Sequence, residues 1–259
     1  MGLNFIHFCF PGVPGVECAF QIRAGGASDG PYAQGNVSLL VGDAPEAVAA
    51  NRTALALELG LEAVAELKQV HGDHMLFEPA EETFLQADTP PSVEGDGVAA
   101  SRPGLGLLIK TADCQPLFFA HESGRAVAAL HVGWRGNRAN FPAGGLRAFC
   151  ARYNCAPGEV LAVRGPSLGP ARAEFVHFER EWGDAYAPWF DVQRRTMDLW
   201  RLTRRQLEEA GMAPERIFSL DLCTASLPEF FSYRRDHVTG RQANLIWRLK
   251  QPRLPHSSV

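Results

Sequence analysis

The chain has 259 residues, 46% of them hydrophobic, enough for a sizeable core in one large α/β domain or two ordinary ones, of which one is favoured. Its net charge of −4 and pI near 6.1 leave no footprint for nucleic acid or an anionic membrane surface, and no run of about 18 apolar residues exists to span a bilayer. Cys9, Cys18, Cys114, Cys150, Cys155 and Cys223 are scattered without a CxxC pair in a chain too large to need disulfide staples, which points to a reducing, cytoplasmic setting.

Residues 1–20 are apolar but carry no basic leader, and Pro11, Pro14 and their neighbouring glycines break any helix, so no signal sequence is expected. Strands are predicted over 16–23 and 36–41, flanking a glycine-rich loop at 25–32. That loop lacks the terminal Lys-Ser/Thr of a P-loop and no helix follows it at once, so an ordinary surface turn is the better reading. Asp43 or Ala44 then caps a helix with Pro45 in its first turn, ending at Gly60. Strands follow at 64–71 and 74–78, and then a polar loop from Glu81 to Glu94. The segments 96–101 and 105–109 are predicted to form a hairpin around Arg102-Pro103-Gly104, and 117–120 and 126–130 a second one around 121–124. Beyond Gly136 come a helix over 139–152, a buried strand at 160–163, helical spacing over 175–187 and 196–210, and late strands at 217–220 and 242–247. Met197, Trp200 and Leu207 share a helical face and read as core, and the tail 252–259 reads as frayed. Strands in hairpins with helices in separate places indicate an α+β chain rather than a strictly alternating one.

Three apolar segments lead to residues able to bind a metal: 67–70 to His71, 105–109 to Cys114, and 126–130 to His131. Catalytic zinc usually takes three protein ligands from His, Cys and carboxylate and keeps a fourth position open, so these three make a candidate set. Such a metal lowers the pKa of bound water from about 16 to about 7. Asp113, beside Cys114, is then a candidate to orient that water or carry its proton. Blander readings exist, since a single histidine is more often a hydrogen-bonded structural residue and an apolar-flanked cysteine a small buried hydrophobe. His121, in a polar turn, suits a metal site least. Lys110 is unexpected on an apolar strand, where it is either an end-of-strand surface residue or an additional phosphate contact.

The strings QVHG (69–72), TADC (111–114) and HVGWRG (131–136) resemble the YfiH family, also called the DUF152 or multicopper polyphenol oxidase family. So do RAGGAS (23–28), VGDAPEAVAANR (41–52), EGDG around Asp96, GPSLGP (165–170) and FFSYRRDHVTGRQANLIW (230–247), which together cover nearly the whole chain. The resemblance implies a single domain over 1–259, folded as a four-layer α/β/β/α sandwich of the YfiH-like type, with the glycine-rich loop beside the substrate site. It implies a zinc-dependent purine nucleoside phosphorylase that cleaves adenosine, inosine or methylthioadenosine with phosphate and also deaminates adenosine. His71, Cys114 and His131 would hold Zn2+, and Asp113 would serve as acid/base. Arg23, Arg52, Gln69 and Arg135 would contact substrate, guanidinium groups being well suited to phosphate. The expected partners are a purine nucleoside and phosphate, with no nucleic acid or membrane and the oligomeric state left open.

The older family label implies a copper polyphenol oxidase or laccase, and a His2Cys set also suits Cu2+. None of the eight histidines forms an H-x-H pair, so ligands for further coppers are lacking. A third reading makes Cys114 a nucleophile activated by His131 or His71 and acting on an amide or peptide, as in the peptidoglycan editing reported for relatives. A non-enzymatic binding protein would hold no metal and turn nothing over. After GPSLGP, the stretch Ala171-Arg172-Ala173-Glu174-Phe175-Val176 keeps only the glutamate of the family pattern, so the nearby pocket wall is expected to differ. Within Tyr233-Arg234-Arg235-Asp236, Asp236 is expected to hold a charged turn through an arginine.

Overall fold

Strands buried on both faces need a cover on each side, and this chain has several of that kind. The computed structural model describes residues 2–251, so the tail read as frayed lies outside the described residues. In chain order the strands are β1 (Asn4–Phe8), β2 (Val16–Ile22), β3 (Ala63–Glu66), β4 (Met75–Phe77), β5 (Gly97–Ala100), β6 (Leu105–Thr111), β7 (Gln115–His121), β8 (Val127–Val132), β9 (Val160–Arg164), β10 (Phe190–Asp191), β11 (Thr196–Met197), β12 (Ile217–Ser219) and β13 (Gln242–Arg248). The helices are α1 (Pro45–Glu58), α2 (Trp134–Arg138), α3 (Phe141–Tyr153), α4 (Phe178–Glu181), α5 (Leu199–Glu209) and α6 (Tyr233–Asp236).

A five-stranded sheet has the order β1-β2-β13-β6-β3 and a six-stranded sheet the order β12-β9-β7-β8-β5-β4, while β10 and β11 form a small separate ribbon. Alternate residues of the two sheets, among them Phe20, Leu107, Ile109, Phe118, Ala129 and Val163, meet in a shared inter-sheet core. Phe20 and Phe118 stack across it with centroids 5.2 Å apart. The opposite parity faces outward: Leu108 and Leu245 pack with Leu55 of α1, and Phe119, Leu130 and Ala162 pack with Phe149 of α3 and Leu207 of α5. This is the α/β/β/α sandwich that the resemblance implied.

The hairpin of β7 and β8 forms as expected, with Phe118 opposite Ala129. The other expected hairpin does not. β5 pairs with β8 in one sheet and β6 pairs with β13 and β3 in the other, with Gly104 (φ 75) in the connection that crosses between layers. Both segments are buried at every position, so neither has the one-sided alternation that fixes local pairing, and distant partners decide it. Residues 36–41 form no strand, because the Asn36 side chain accepts from Ser38 N–H at 3.0 Å and donates to Ser38 O at 3.1 Å, a local turn that competes with a ladder. The stretch 175–187 is helical only in α4 and in a 3-10 turn at Asp184–Trp189, with Gly183 (φ 85) between them. α5 begins at Leu199, where Asp198 Oδ1 accepts Arg201 N–H at 2.9 Å as its cap. Met197 and Leu207 are buried as expected, whereas Trp200 is half-buried and donates its Nε1–H to Ser167. The N-terminal residues add β1 to β2, which the sequence reading did not anticipate. No helix among the described residues is long and apolar enough to cross a membrane.

Two adjacent glycines of α3 test the packing. A Cβ on Gly144 meets nothing within 4 Å, whereas one on Gly145 would lie 2.4 Å from Leu130 Cδ2. Gly144→Ala is expected to stabilise the protein by about 0.5–1 kcal/mol through helix propensity. Gly145→Ala is expected to destabilise it by about 1–3 kcal/mol through overpacking. Urea midpoints of the two variants check both signs.

Candidate metal centre and its cavity

The site is assembled from strand ends. Asp96 precedes β5 and is fully buried. Its carboxylate accepts the backbone N–H groups of Val70 (3.2 Å), His71 (2.9 Å) and Gly72 (2.7 Å), which holds the loop after β3 with His71 at φ 61. A left-handed backbone costs a non-glycine residue about 1–2 kcal/mol, and bonds to a charged acceptor offset that. The same carboxylate lies 2.8 Å from His131 Nδ1, and Asp96 O accepts His131 N–H at 2.7 Å. Burial alone would raise the Asp96 carboxyl, but His131 and the amides of Gly72 and Val70 outweigh it and hold the group below its ordinary range. An ionised carboxylate only accepts, so Nδ1 of His131 carries the proton and Nε2 is directed to other work.

Cys114 enters between β6 and β7 behind Asp113, whose backbone sits at φ 104. The Asp113 carboxylate accepts from Thr224 Oγ1 (2.7 Å), Ser232 Oγ (2.6 Å) and Arg234 N (2.6 Å), and its carbonyl accepts Leu168 N–H (2.8 Å). Gly133 follows β8, and a Cβ there would come within 3.1 Å of Cys114 Sγ and 3.3 Å of His71 Cδ2, so the cluster closes over bare backbone. The candidate ligand atoms of His71, Cys114 and His131 all lie within 4.8 Å of one another. An ion with bonds of about 2.0–2.3 Å can gather such a set with small side-chain adjustments.

Burial pushes the Cys114 thiol up, but the charge and hydrogen bond of His131, joined by those of His71, more than offset it and bring it down to about 6. Burial likewise pushes His131 down, and the Cys114 thiolate together with Asp96 reverses this and raises it to about 9. The two shifts run in the directions that favour a thiolate on Cys114 and an imidazolium on His131.

A cavity of about 540 Å³ lies over the three ligands. Leu40, Val41, Trp134, Leu168, Phe175 and Leu199 give it apolar and aromatic walls, and Lys110, Arg135, Arg234 and Arg241 line it with positive charge. Among the described lining residues Asp113 is the one carboxylate. The expected site residues divide. Gln69 and Arg135 line the cavity, the latter with its guanidinium 4.4 Å from the Trp134 ring centroid. Gln69 uses both ends of its amide on the Lys110 backbone, accepting its N–H at 2.8 Å and donating to its carbonyl at 2.9 Å.

Three expectations are corrected. Arg52 is fully buried, and its five N–H groups are matched by five bonds, to Gln86 O, Val37 O, Thr89 O and both oxygens of Glu66. It has no donor left for substrate. Arg23 is outside the lining, with Nε bonded to Ala33 O at 2.7 Å and its guanidinium 4.8 Å from the Phe231 centroid. The glycine-rich loop contributes no lining residue either; Ser38, Leu40 and Val41 do. Asp113, by contrast, does line the cavity, and its carboxylate also accepts from Thr224, Ser232 and Arg234 beside the Cys114 turn. Asp236 holds its turn through Arg235 at 2.8 Å, as expected. Asp96, Arg234 and Arg241 join the site without having been expected there from the sequence, and the glycines that flank Asp96 are the one local sign of its role.

A family model described as multi-copper polyphenol oxidoreductase laccase matches residues 17–249. The chain belongs to that family. Among its curated relatives, the purine nucleoside phosphorylase YfiH of Escherichia coli (strain K12) is 34% identical over 248 residues, covering 92% of this chain and 96% of the relative. A purine nucleoside phosphorylase of Xylella fastidiosa (strain 9a5c) is 36% identical over 253 residues, covering 92% and 94%. Among solved structures, YlmD from Geobacillus stearothermophilus superposes with a TM-score of 0.84 at 29% identity over 93% of this chain and 94% of that one. The Neisseria meningitidis protein NMB0706, of DUF152, gives 0.80 at 31% identity over 95% and 99%. A laccase-family name raises the question of how many metals this member can hold. Among the described residues, His71, Cys114 and His131 form the one group of three close metal-binding side chains.

Asp96→Asn is expected to weaken Zn2+ binding about 10–100-fold, because an outer partner orients the His131 ligand; chelator competition reads this. Binding also displaces the His131 proton. Apparent affinity should therefore rise about tenfold per pH unit between about 6 and about 9, and more steeply below 6, where Cys114 must also ionise. A flat profile across that window would contradict the ligand assignment.

Proposed function

We propose that this chain is a zinc-dependent purine nucleoside phosphorylase acting on adenosine, inosine and methylthioadenosine, with adenosine deamination as a second activity. The observation that carries the reading is one cavity that joins a His-Cys-His cluster to aromatic walls and four cationic side chains. Relatives named purine nucleoside phosphorylase, alignable over nine-tenths of the chain, support the substrate class.

A purine has flat apolar faces, for which Trp134 and Phe175 are suitable neighbours. Phosphate calls for guanidinium and ammonium donors, and Arg135, Arg234, Arg241 and Lys110 supply them. His71, Cys114 and His131 would hold the zinc, which when bound supplies Lewis acidity and activated water. Asp96 keeps His131 in the ligating tautomer, Asp113 keeps the Cys114 turn in place, and Gln69 ties the His71 loop to β6.

Copper oxidation is the second reading, favoured by the family description and by a donor set that also suits copper. The one such cluster among the described residues would serve one ion, which supports the phosphorylase over a multi-copper oxidase. Thiol catalysis draws on the lowered Cys114 pKa of about 6 in the metal-free state.

Metal analysis of chelator-free protein, with an assay of adenosine plus phosphate, separates the three. About one zinc per chain and adenine release that requires phosphate are expected, and Cys114→Ala should lower kcat/KM by about 100-fold or more. Copper with oxygen-dependent phenol oxidation would replace this reading with the laccase one. Metal-independent turnover of an amide substrate would replace it with the thiol one.

A further inference from the structure

Lys110 lies on β6, buried like the rest of that strand, and donates from Nζ to Glu66 Oε1. Glu66 also takes both Nη groups of Arg52, at 3.1 and 2.5 Å. These three side chains are each more than nine-tenths buried and carry one net positive charge. With the N–H groups of Arg52 all matched, the excess formal charge belongs to Lys110, a cavity-lining residue whose ammonium has three donors, one of them on Glu66. A buried cation in excess of its partners is unfavourable unless an anion meets it.

Arg241 lines the same cavity nearby. Burial lowers the Lys110 pKa most, Glu66 opposes it, and the charges of Arg52 and Arg241 lower it further. Within the described residues, the side-chain bonds of Arg241 run from Nη1, to Thr239 O (3.0 Å) and Gly240 O (2.9 Å), so Nε and Nη2 are open to a ligand. The other lining arginines are placed differently, Arg135 over Trp134 and Arg234 over Phe175. Gln69, two residues before His71, clasps the Lys110 backbone and so ties this charge to the metal cluster.

We propose that Lys110 and Arg241 form the oxyanion subsite of the cavity and hold the phosphate co-substrate, with Arg52 and Glu66 fixing the ammonium. This rests on the phosphorylase reading. In that reaction a phosphate oxygen forms the bond to C1′ as the C1′–N9 bond breaks, and the electron pair leaves with the purine, which takes up a proton from solvent. A nucleoside 5′-phosphate presents the same oxygens, so the test distinguishes the two sources.

Calorimetry with inorganic phosphate on the protein as purified, alongside KM for phosphate and for adenosine, compares Lys110→Met and Arg241→Met with Lys68→Met. Lys68 is a control, since its charge is paired with Glu94 on the surface. Each cavity variant is expected to weaken phosphate binding and raise its KM about 10–100-fold. KM for adenosine should stay within about twofold. Lys110→Met leaves the Arg52–Glu66 pair neutral and removes the uncompensated charge, so its Tm without phosphate should be at or above that of wild type, while the rise in Tm that phosphate gives wild type should be lost. Unchanged phosphate affinity in both cavity variants overturns the proposal. Lys110-dependent phosphate binding in a protein without phosphorolysis would uphold the subsite and remove the phosphorylase reading. Tighter, Lys110-dependent binding of adenosine 5′-phosphate than of phosphate would overturn the co-substrate assignment.

Discussion

One buried carboxylate, Asp96, receives the amides of Val70, His71 and Gly72 and the ring of His131, and the centre depends on that convergence. Without it the loop after β3 would have no reason to hold His71 at φ 61, and the His131 ring would have no fixed tautomer. Because Asp96 leads directly into β5, whose neighbour β8 carries His131, sheet pairing and ligand geometry are the same event. The sandwich is therefore a precondition of the site and not a passive frame for it.

The charges around the cavity are graded by what else they touch. Arg52 is saturated and structural, Lys110 is half-committed to Glu66, and Arg135 and Arg234 rest over aromatic rings. The Asp113 carboxylate joins the Cys114 turn to Thr224, Ser232 and Arg234 while still lining the cavity. Residue type alone ranks an arginine beside a helix and an arginine beside a cavity equally. The count of satisfied donors separates them, since a guanidinium whose five N–H groups are all bonded has nothing left to offer a ligand.

Much was legible from local pattern. Helix α1, with Pro45 at its start and Gly60 after its end, and the hairpin of β7 and β8 follow from turn chemistry and periodicity. The candidate ligands His71, Cys114 and His131 were named from residue type at the ends of apolar runs, and the fold brings them within 4.8 Å. The misread elements share a cause. Residues 36–41 look like a strand until the Asn36 side chain takes the bonds a ladder would need, and 175–187 look helical until Gly183 turns the chain.

By itself the sequence determined the α+β class, most strand and helix positions and the donor set of the centre, because periodicity, caps and residue chemistry are local properties. Only the tertiary structure decided that β5 and β6 belong to different sheets, that Asp96 unites two candidate ligands, and that Arg52 is closed off while Lys110 and Arg241 line the cavity. Those outcomes depend on contacts between residues far apart in the chain. Burial and the matching of donors to acceptors exist only once those contacts have formed.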